Sequence, residues 1–406
     1  MHLAIPLAYA LFSTPSALAA YNFAKEYTGS SFFDGWDFGN GTYDSTTHGH
    51  VNYLNESSAT SQKLAYINDA GHAVIRVDDF SFVPWEQKRN SVRIETTDYF
   101  PVGSVFVLDA THIPFGCSVW PGFWTKGPNW PAGGEIDIVE SVNLMGNNQM
   151  ALHTPAGCTQ ASDVQQLGKT IGSDCSAGVD SATGCAVAET QPNSFGSDFA
   201  SAGGGVWATQ FDDSGVFIWF WSRNNVPDSV TNAKDTIDPS TWGTPSAAWP
   251  SSSCNVASSF DAQQLVIDIT LCGDWAGEPS IYQSTCGGPL GNSTVDICYI
   301  DNVINTNGTN YQDAYFEISS VKVFTVNSTV LTPSVSGSST VLSSATASAG
   351  SAGSGSTSGT GSSGNGSNNG TGSDDGSSGN GAAPRVAAYA AMVGATALAA
   401  FSWMLL

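Results

Sequence analysis

The sequence predicts an all-β sandwich or barrel. Three observations carry this: short alternating apolar runs recur, turn clusters of Gly, Asn, Asp, Ser and Pro separate them, and helical periodicity is scarce. The clearest runs are Ala73–Val77, Ser91–Glu95, Gly215–Trp219, Leu265–Ile269 and Phe316–Phe324. No internal repeat is present in residues 21–327.

The two ends read differently. Residues 3–19 are largely apolar and close on Ala17-Leu18-Ala19, a small-x-small pattern, so residues 1–20 are expected to be a signal peptide. Residues 331–385 are dominated by Ser, Gly, Thr, Ala and Asn, and too little apolar surface is available there to offset chain entropy; a disordered linker is expected. The apolar run 386–406 is just long enough to span a bilayer, but no basic tail follows it. Small residues, a polar spacer and a terminal apolar tail fit a glycosylphosphatidylinositol (GPI) attachment signal, with a retained transmembrane helix as the rival reading. Residues 21–330 then form the folded domain. The expected location is outside the cell, tethered at the surface or wall only through that C-terminal anchor.

Charge and cysteine content narrow the functions. The formal net charge is −23 with 12 Lys and Arg in the whole chain, which excludes a nucleic-acid partner because phosphate binding needs a basic footprint. A neutral polymer raises no such objection. Eight cysteines lie between Cys117 and Cys298, an even count that implies up to four disulfides in an oxidising compartment. Eight cysteines allow about 105 pairings, so connectivity stays open. No CxxC spacing occurs, which argues against zinc. Sequons at Asn40, Asn55, Asn292, Asn307, Asn327, Asn365 and Asn369 agree with secretion. The stretch 143–205 has few strand signals and three cysteines; it reads as long loops pinned by disulfides.

The chemistry concentrates in Gly133-Gly-Glu-Ile-Asp-Ile-Val-Glu140. Glu135 and Asp137 are two residues apart, so on a strand they share a face, while Ile136 and Ile138 face the other way. Glu140 falls out of phase by one residue, and a β-bulge between Asp137 and Glu140 would restore it to the same face. Three carboxyls on one face repel and raise at least one pKa. Glycoside hydrolysis needs this inequality: one carboxylate ionised, one carboxylic acid protonated. A solvated acidic face or a calcium site are the rival readings. The flanks favour sugar chemistry, since Trp120, Trp124, Trp130 and Trp275 could offer flat apolar platforms. Trp219 and Trp221 read as structural.

Together, the Glu-Ile-Asp-Ile-Val-Glu stretch, Phe32-Phe-Asp-Gly-Trp36, Trp120-Pro-Gly-Phe-Trp124 and Cys272-Gly-Asp-Trp-Ala-Gly277 resemble glycoside hydrolase family 16, in its fungal laminarinase branch. The extra residue before the second glutamate is typical of that branch. The resemblance implies a β-jelly roll of two curved antiparallel sheets with a concave substrate cleft. It also implies Glu135 as nucleophile, Glu140 as general acid/base, and Asp137 between them, hydrogen-bonded to Glu135. His153 is expected near the acid/base, with Trp124, Trp130, Trp275 and Arg93 contacting substrate. For Arg93 the rival is a surface strand residue, and for His153 a core histidine. The implied activity is endo-acting, retaining hydrolysis of β-1,3-glucan, with mixed-linkage β-1,3-1,4-glucan as a further substrate. A wall-remodelling transglycosylase and a non-catalytic glucan-binding protein are the alternatives. No cofactor or metal is expected, and a monomer is.

Overall fold

The computed structural model describes residues 20–39, 41–177, 184–289, 296–304, 307–336 and 339–346. The expected signal peptide, the rest of the linker and the apolar tail lie outside them. No described helix is long and apolar enough to cross a membrane.

The predicted runs become strands because each pairs its apolar face with a second sheet. One sheet has nine strands. Its main path runs Thr236–Ile237, Tyr21–Thr28, Tyr315–Val326, Ser104–His112, Gly205–Asp212, Gly215–Ser222, Ala247–Pro250. The Ala73–Arg76 strand also pairs with Tyr315–Val326, and Ala65–Ile67 pairs with it in turn. The other sheet has eight strands. They run Lys169–Thr170, Cys185–Ala188, Gln149–His153, Glu135–Glu140, Val119–Lys126, Gln264–Leu271, Arg93–Thr96, Trp36–Phe38. Every pairing within these two sheets is antiparallel. The outermost strands of both paths are only two to four residues long.

The all-β prediction therefore holds as a jelly-roll sandwich, its core filled by the two inner faces. Phe106, Leu108, Phe123, Ile136, Trp207, Phe211, Ile267 and Ile269 are buried there together. Trp219 belongs to a second cluster on the opposite face of the nine-stranded sheet, edge-on to Trp242, and Trp221 packs against it too. Their structural reading holds.

Two expectations need correction. The 143–205 stretch is not all loop. It contains the strands Gln149–His153 and Cys185–Ala188, and the former pairs directly with Glu135–Glu140. Only short runs with a single β-branched residue between them, Val187 (Met150-Ala-Leu152, Cys185-Ala-Val-Ala188), mark them, so their β signal is weak and pairing supplies the order. The domain also does not stop at residue 330. Thr329–Ser336 and Ser339–Thr346 form a hairpin that enters the expected linker, with Leu331 bridged to Tyr99. Val330, Leu331, Val341 and Leu342 supply the β-forming side chains that composition averaging over Ser and Gly conceals.

All eight cysteines are paired: Cys117–Cys286, Cys158–Cys254, Cys175–Cys185 and Cys272–Cys298. Cys158–Cys254 and Cys175–Cys185 pin the 143–205 stretch, as expected. The other two hold the segment that carries Trp275. Cys272 itself adopts φ 59°, a positive value costly for a residue with a Cβ, and its amide donates to the Ser118 carbonyl at 2.7 Å. The double substitution Cys272→Ser/Cys298→Ser reopens a loop of 26 residues in sequence separation. Chain-entropy arguments put its loss of unfolding free energy at about 3–4 kcal/mol, to be checked by denaturant titration of both proteins.

Candidate active site

The cleft lies on the outer face of the eight-stranded sheet, and strand register explains its contents. Glu135, Asp137 and Glu140 stand opposite Lys126, Trp124 and Gly122 on the Val119–Lys126 strand. The register shifts once, because Ile138 is an extra residue between the pairs Asp137–Trp124 and Val139–Phe123. Without it Glu140 would stand opposite Pro121, out of phase with the other two carboxyls. Ile138 and Val139 are both buried, so the bulge is paid for by apolar contact. The bulge read from sequence is present.

The rows continue across the sheet. Gly122 stands opposite Asp268, and Asp268 opposite Arg93. Glu140, Gly122, Asp268 and Arg93 thus form one line across the cleft floor. Gly122 must lack a side chain: a Cβ there would lie 2.6 Å from Asp268 Oδ1 and 2.8 Å from Trp124 Cδ1. The vacated space lets Trp124 Nε1 donate to Asp268 Oδ1 at 3.3 Å. Arg93 packs its guanidinium 5.0 Å from the Trp124 ring centroid and pairs with Glu95 (2.9 Å) and Asp268 (3.5 Å). Arg93 is therefore a half-buried floor residue, not a surface one. Trp124 is only 8% exposed, whereas Trp130 is 41% exposed and rises from the cleft edge. Trp275 stands edge-on to Trp120, 5.6 Å between ring centroids.

Each glutamate has its own indole. Trp130 Nε1 donates to Glu135 Oε2, and Trp120 Nε1 donates to Glu140 Oε1 at 2.9 Å. His153 stands opposite Glu135 on the neighbouring strand. Its Nε2 lies 3.3 Å from Asp137 Oδ2 and 4.0 Å from Glu135 Oε1. The resemblance implied a hydrogen bond between Asp137 and Glu135 and a place for His153 beside Glu140. Among the described residues, His153 stands between Asp137 and Glu135 at ion-pair distance, and its charge also acts on Glu140.

The electrostatics follow from burial. Glu135 is pushed up to about 8, first by burial and then by Asp137, with His153, Trp130 and Arg93 opposing. Burial and then Asp137 also drive Glu140 well above the usual carboxylate range, against His153 and Trp120. Burial alone would depress His153, but Asp137, Glu135 and Glu140 outweigh it and raise the imidazole to about 9. Burial lifts Asp268 to about 7 despite Arg93. Donor atoms of Glu135, Asp137 and His153 lie within 4.8 Å of one another, close enough for a divalent ion.

Asp268, Asp44, Thr47 and Thr270 had no assigned role in the sequence reading, and Trp120 was read only as one of the aromatic platforms. Asp268 carried a signal, a lone acid inside the apolar run Leu265–Ile269. Asp44 carried none. It is buried and accepts from the Thr46 and Thr47 amides (3.0 and 3.1 Å) and from Thr270 Oγ1 (2.7 Å), fixing the 44–49 loop against the floor. Burial pushes its carboxyl up, but the hydrogen bonds from Thr47 and Thr270 prevail and hold it below its ordinary value.

A family model described as XgeA-like, catalytic GH16 domain matches residues 36–324. The chain belongs to glycoside hydrolase family 16. A probable glycosidase of Schizosaccharomyces pombe is 37% identical over 309 residues, covering 75% of this chain and 69% of the relative. The endo-1,3(4)-beta-glucanase xgeA of Emericella nidulans is 36% identical over 286 residues, 70% of this chain but only 44% of that protein. The family 16 chain thus spans less than half the length of that glucanase. Among solved structures, laminarinase 16A of Phanerochaete chrysosporium has a TM-score of 0.69 and 35% identity, over 75% of this chain and 100% of that one. An elongating family 16 β-1,3-glucosyltransferase has a TM-score of 0.69 and 36% identity, with the same coverage.

The two glutamates share one neighbour and differ in another. Removing the cation in His153→Asn raises both carboxyls, because the imidazole opposes the upward shift of each, whereas removing the donor in Trp120→Phe raises Glu140. Carboxyl-carbon NMR titration should show upward shifts at both glutamates in His153→Asn, and in Trp120→Phe a shift larger at Glu140 than at Glu135.

Proposed function

We propose that the chain cleaves β-1,3-linked glucan internally, by double displacement, with Glu135 as nucleophile and Glu140 as general acid/base. The observation that carries this is the unequal environment of two glutamates on one face of one strand. Glu135 has a cationic imidazole 4.0 Å away and an indole donor. Glu140 has an indole donor, and burial and Asp137 push its carboxyl well above the usual range. The imidazole beside Glu135 favours the carboxylate that a nucleophile needs, and burial of Glu140 favours the proton that a general acid must hold.

The steps follow. Glu140 gives its proton to the glycosidic oxygen as the bond to the anomeric carbon breaks, and a Glu135 oxygen bonds to that carbon. Glu140, now a carboxylate, takes a proton from water. The water oxygen attacks the anomeric carbon, and the bond to Glu135 breaks. Asp137 holds His153 against Glu135, so its part is positioning. Trp130 and Trp275 serve as walls against sugar rings, while Trp124 and Arg93 form the floor. Laminarinase 16A, solved with 6-O-glucosyl-laminaritriose in its donor and acceptor sites, supports a β-1,3-glucan substrate by similarity. The similarity to an elongating glucosyltransferase supports a second outcome of the same covalent intermediate, attack by a sugar hydroxyl in place of water. Products formed with excess acceptor oligosaccharide separate the two.

Glu135→Ala and Glu140→Ala should each lower turnover of laminarin by at least about a thousandfold, since each removes a group that acts on the reacting bond. Azide should restore Glu140→Ala through a β-glycosyl azide and Glu135→Ala through an α product. Two carboxyls spaced for direct attack, about 5–5.5 Å apart, retain configuration; NMR of the first product should show the β-anomer. An α-anomer at first appearance overturns the mechanism.

We also propose that the mature protein is secreted and held at the outer surface by a GPI anchor, from the composition of the two ends. A phosphatidylinositol-specific phospholipase should release it from membranes, and mass spectrometry should find no peptide containing Trp403.

A further inference from the structure

Among the described residues, the densest group of exposed aromatic rings outside the cleft lies in one short segment. Within six residues the chain exposes Phe80 (54%), Phe82 (63%) and Trp85 (57%). Single exposed apolar residues need no explanation, but a cluster of rings marks a surface that meets something.

The segment is held firmly. The Asp78 carboxylate accepts from the amides of Phe80 (3.0 Å) and Ser81 (2.9 Å). The fully buried Arg89 side chain donates to the carbonyls of Asp78 and Ser81, both at 3.0 Å, and of Val303 at 2.8 Å. Gly308 approaches so closely that a Cβ there would lie 2.3 Å from the Asp79 carbonyl carbon. Val83 turns inward and is 6% exposed. Burying a guanidinium is costly, and here it fixes a loop that keeps three rings in water.

The loop is also joined to the cleft. It leads into the Arg89–Ser91 strand, which pairs with Val51–Tyr53, and the residues just before that strand form the 44–49 loop at the cleft floor. The Arg89 amide donates to the His50 carbonyl at 3.1 Å. Trp85 stands edge-on to Tyr299 at 5.9 Å, and Tyr299 lies 4.4 Å from the His50 ring. His48 contacts Asp274 at 2.7 Å, beside Trp275.

We propose that the Phe80–Trp85 loop is a second binding site for neutral β-glucan, taking polymer outside the cleft; the identity of the polymer rests on the glucanase reading above. Flat aromatic faces suit the C–H faces of sugar rings. Phosphate-bearing surfaces are disfavoured: the net charge is −23, and the neighbouring Lys88 is engaged with the Gly49 carbonyl (2.9 Å) and the Tyr43 ring (4.0 Å). The site adds no chemistry. It raises the local concentration of long chains near the catalytic strand.

The test compares the full chain with its Phe80→Ser/Phe82→Ser/Trp85→Ser variant. Both should melt at the same temperature and cut a soluble β-1,3-hexasaccharide at equal rates. On polymeric laminarin the variant's KM should rise about tenfold, equivalent to ~1.4 kcal/mol, with kcat unchanged. In a Glu135→Gln background, retention on insoluble β-1,3-glucan should fall by a similar factor. Equal KM and equal retention for both proteins overturn the second site. So does retention on neutral phosphatidylcholine vesicles that exceeds retention on glucan and is lost in the variant. If the unsubstituted chain fails to cut the hexasaccharide, the glucanase reading falls and this inference with it.

Discussion

One extra residue in the Glu135–Glu140 strand governs the cleft. Strand side chains alternate strictly, so an uninterrupted ladder would leave Glu140 out of phase with Glu135 and Asp137. The bulge at Ile138 brings it back. It also aligns Glu140 with Gly122, Asp268 and Arg93, so a single irregularity assembles the carboxyl pair and the floor beside it. Buried Ile138 and Val139 lock the irregularity in place, because any slip of register would draw apolar side chains out of the core.

Gathering these acids is electrostatically unfavourable, and the surroundings show how the cost is met. His153 gains a proton, Trp120 and Trp130 each present an N–H, and Arg93 neutralises Asp268 and Glu95. His153 acts on both glutamates, whereas each indole serves one of them, so the two carboxyls share one compensation and differ in the other.

Much of this was legible in the sequence. Strand-forming runs such as Leu265–Ile269 and Phe316–Phe324 announce themselves by β-branched content and alternation, and the out-of-phase Glu140 announces the bulge. The Gln149–His153 strand was hidden because five residues with little β preference gain their order only from neighbours. The hairpin beyond residue 330 was hidden by averaging, since a few Val and Leu among many Ser read as linker. Asp44 was invisible for another reason: it is fixed by Thr270, 226 residues away in sequence. His153 was found, but its partner was not, because two strands can put the same residue beside any of three acids until the register is known.

The sheet margins have a consequence of their own. At the ends of the two main strand paths stand Thr236–Ile237, Ala247–Pro250, Lys169–Thr170 and Trp36–Phe38. Each offers a stranger's backbone only a few open amides and carbonyls, and one of them ends in proline. A long open margin is a template on which a second molecule can add strand by strand. Here the ladder runs out almost as soon as it begins, so the ends of the two main paths give an approaching strand no more than a foothold.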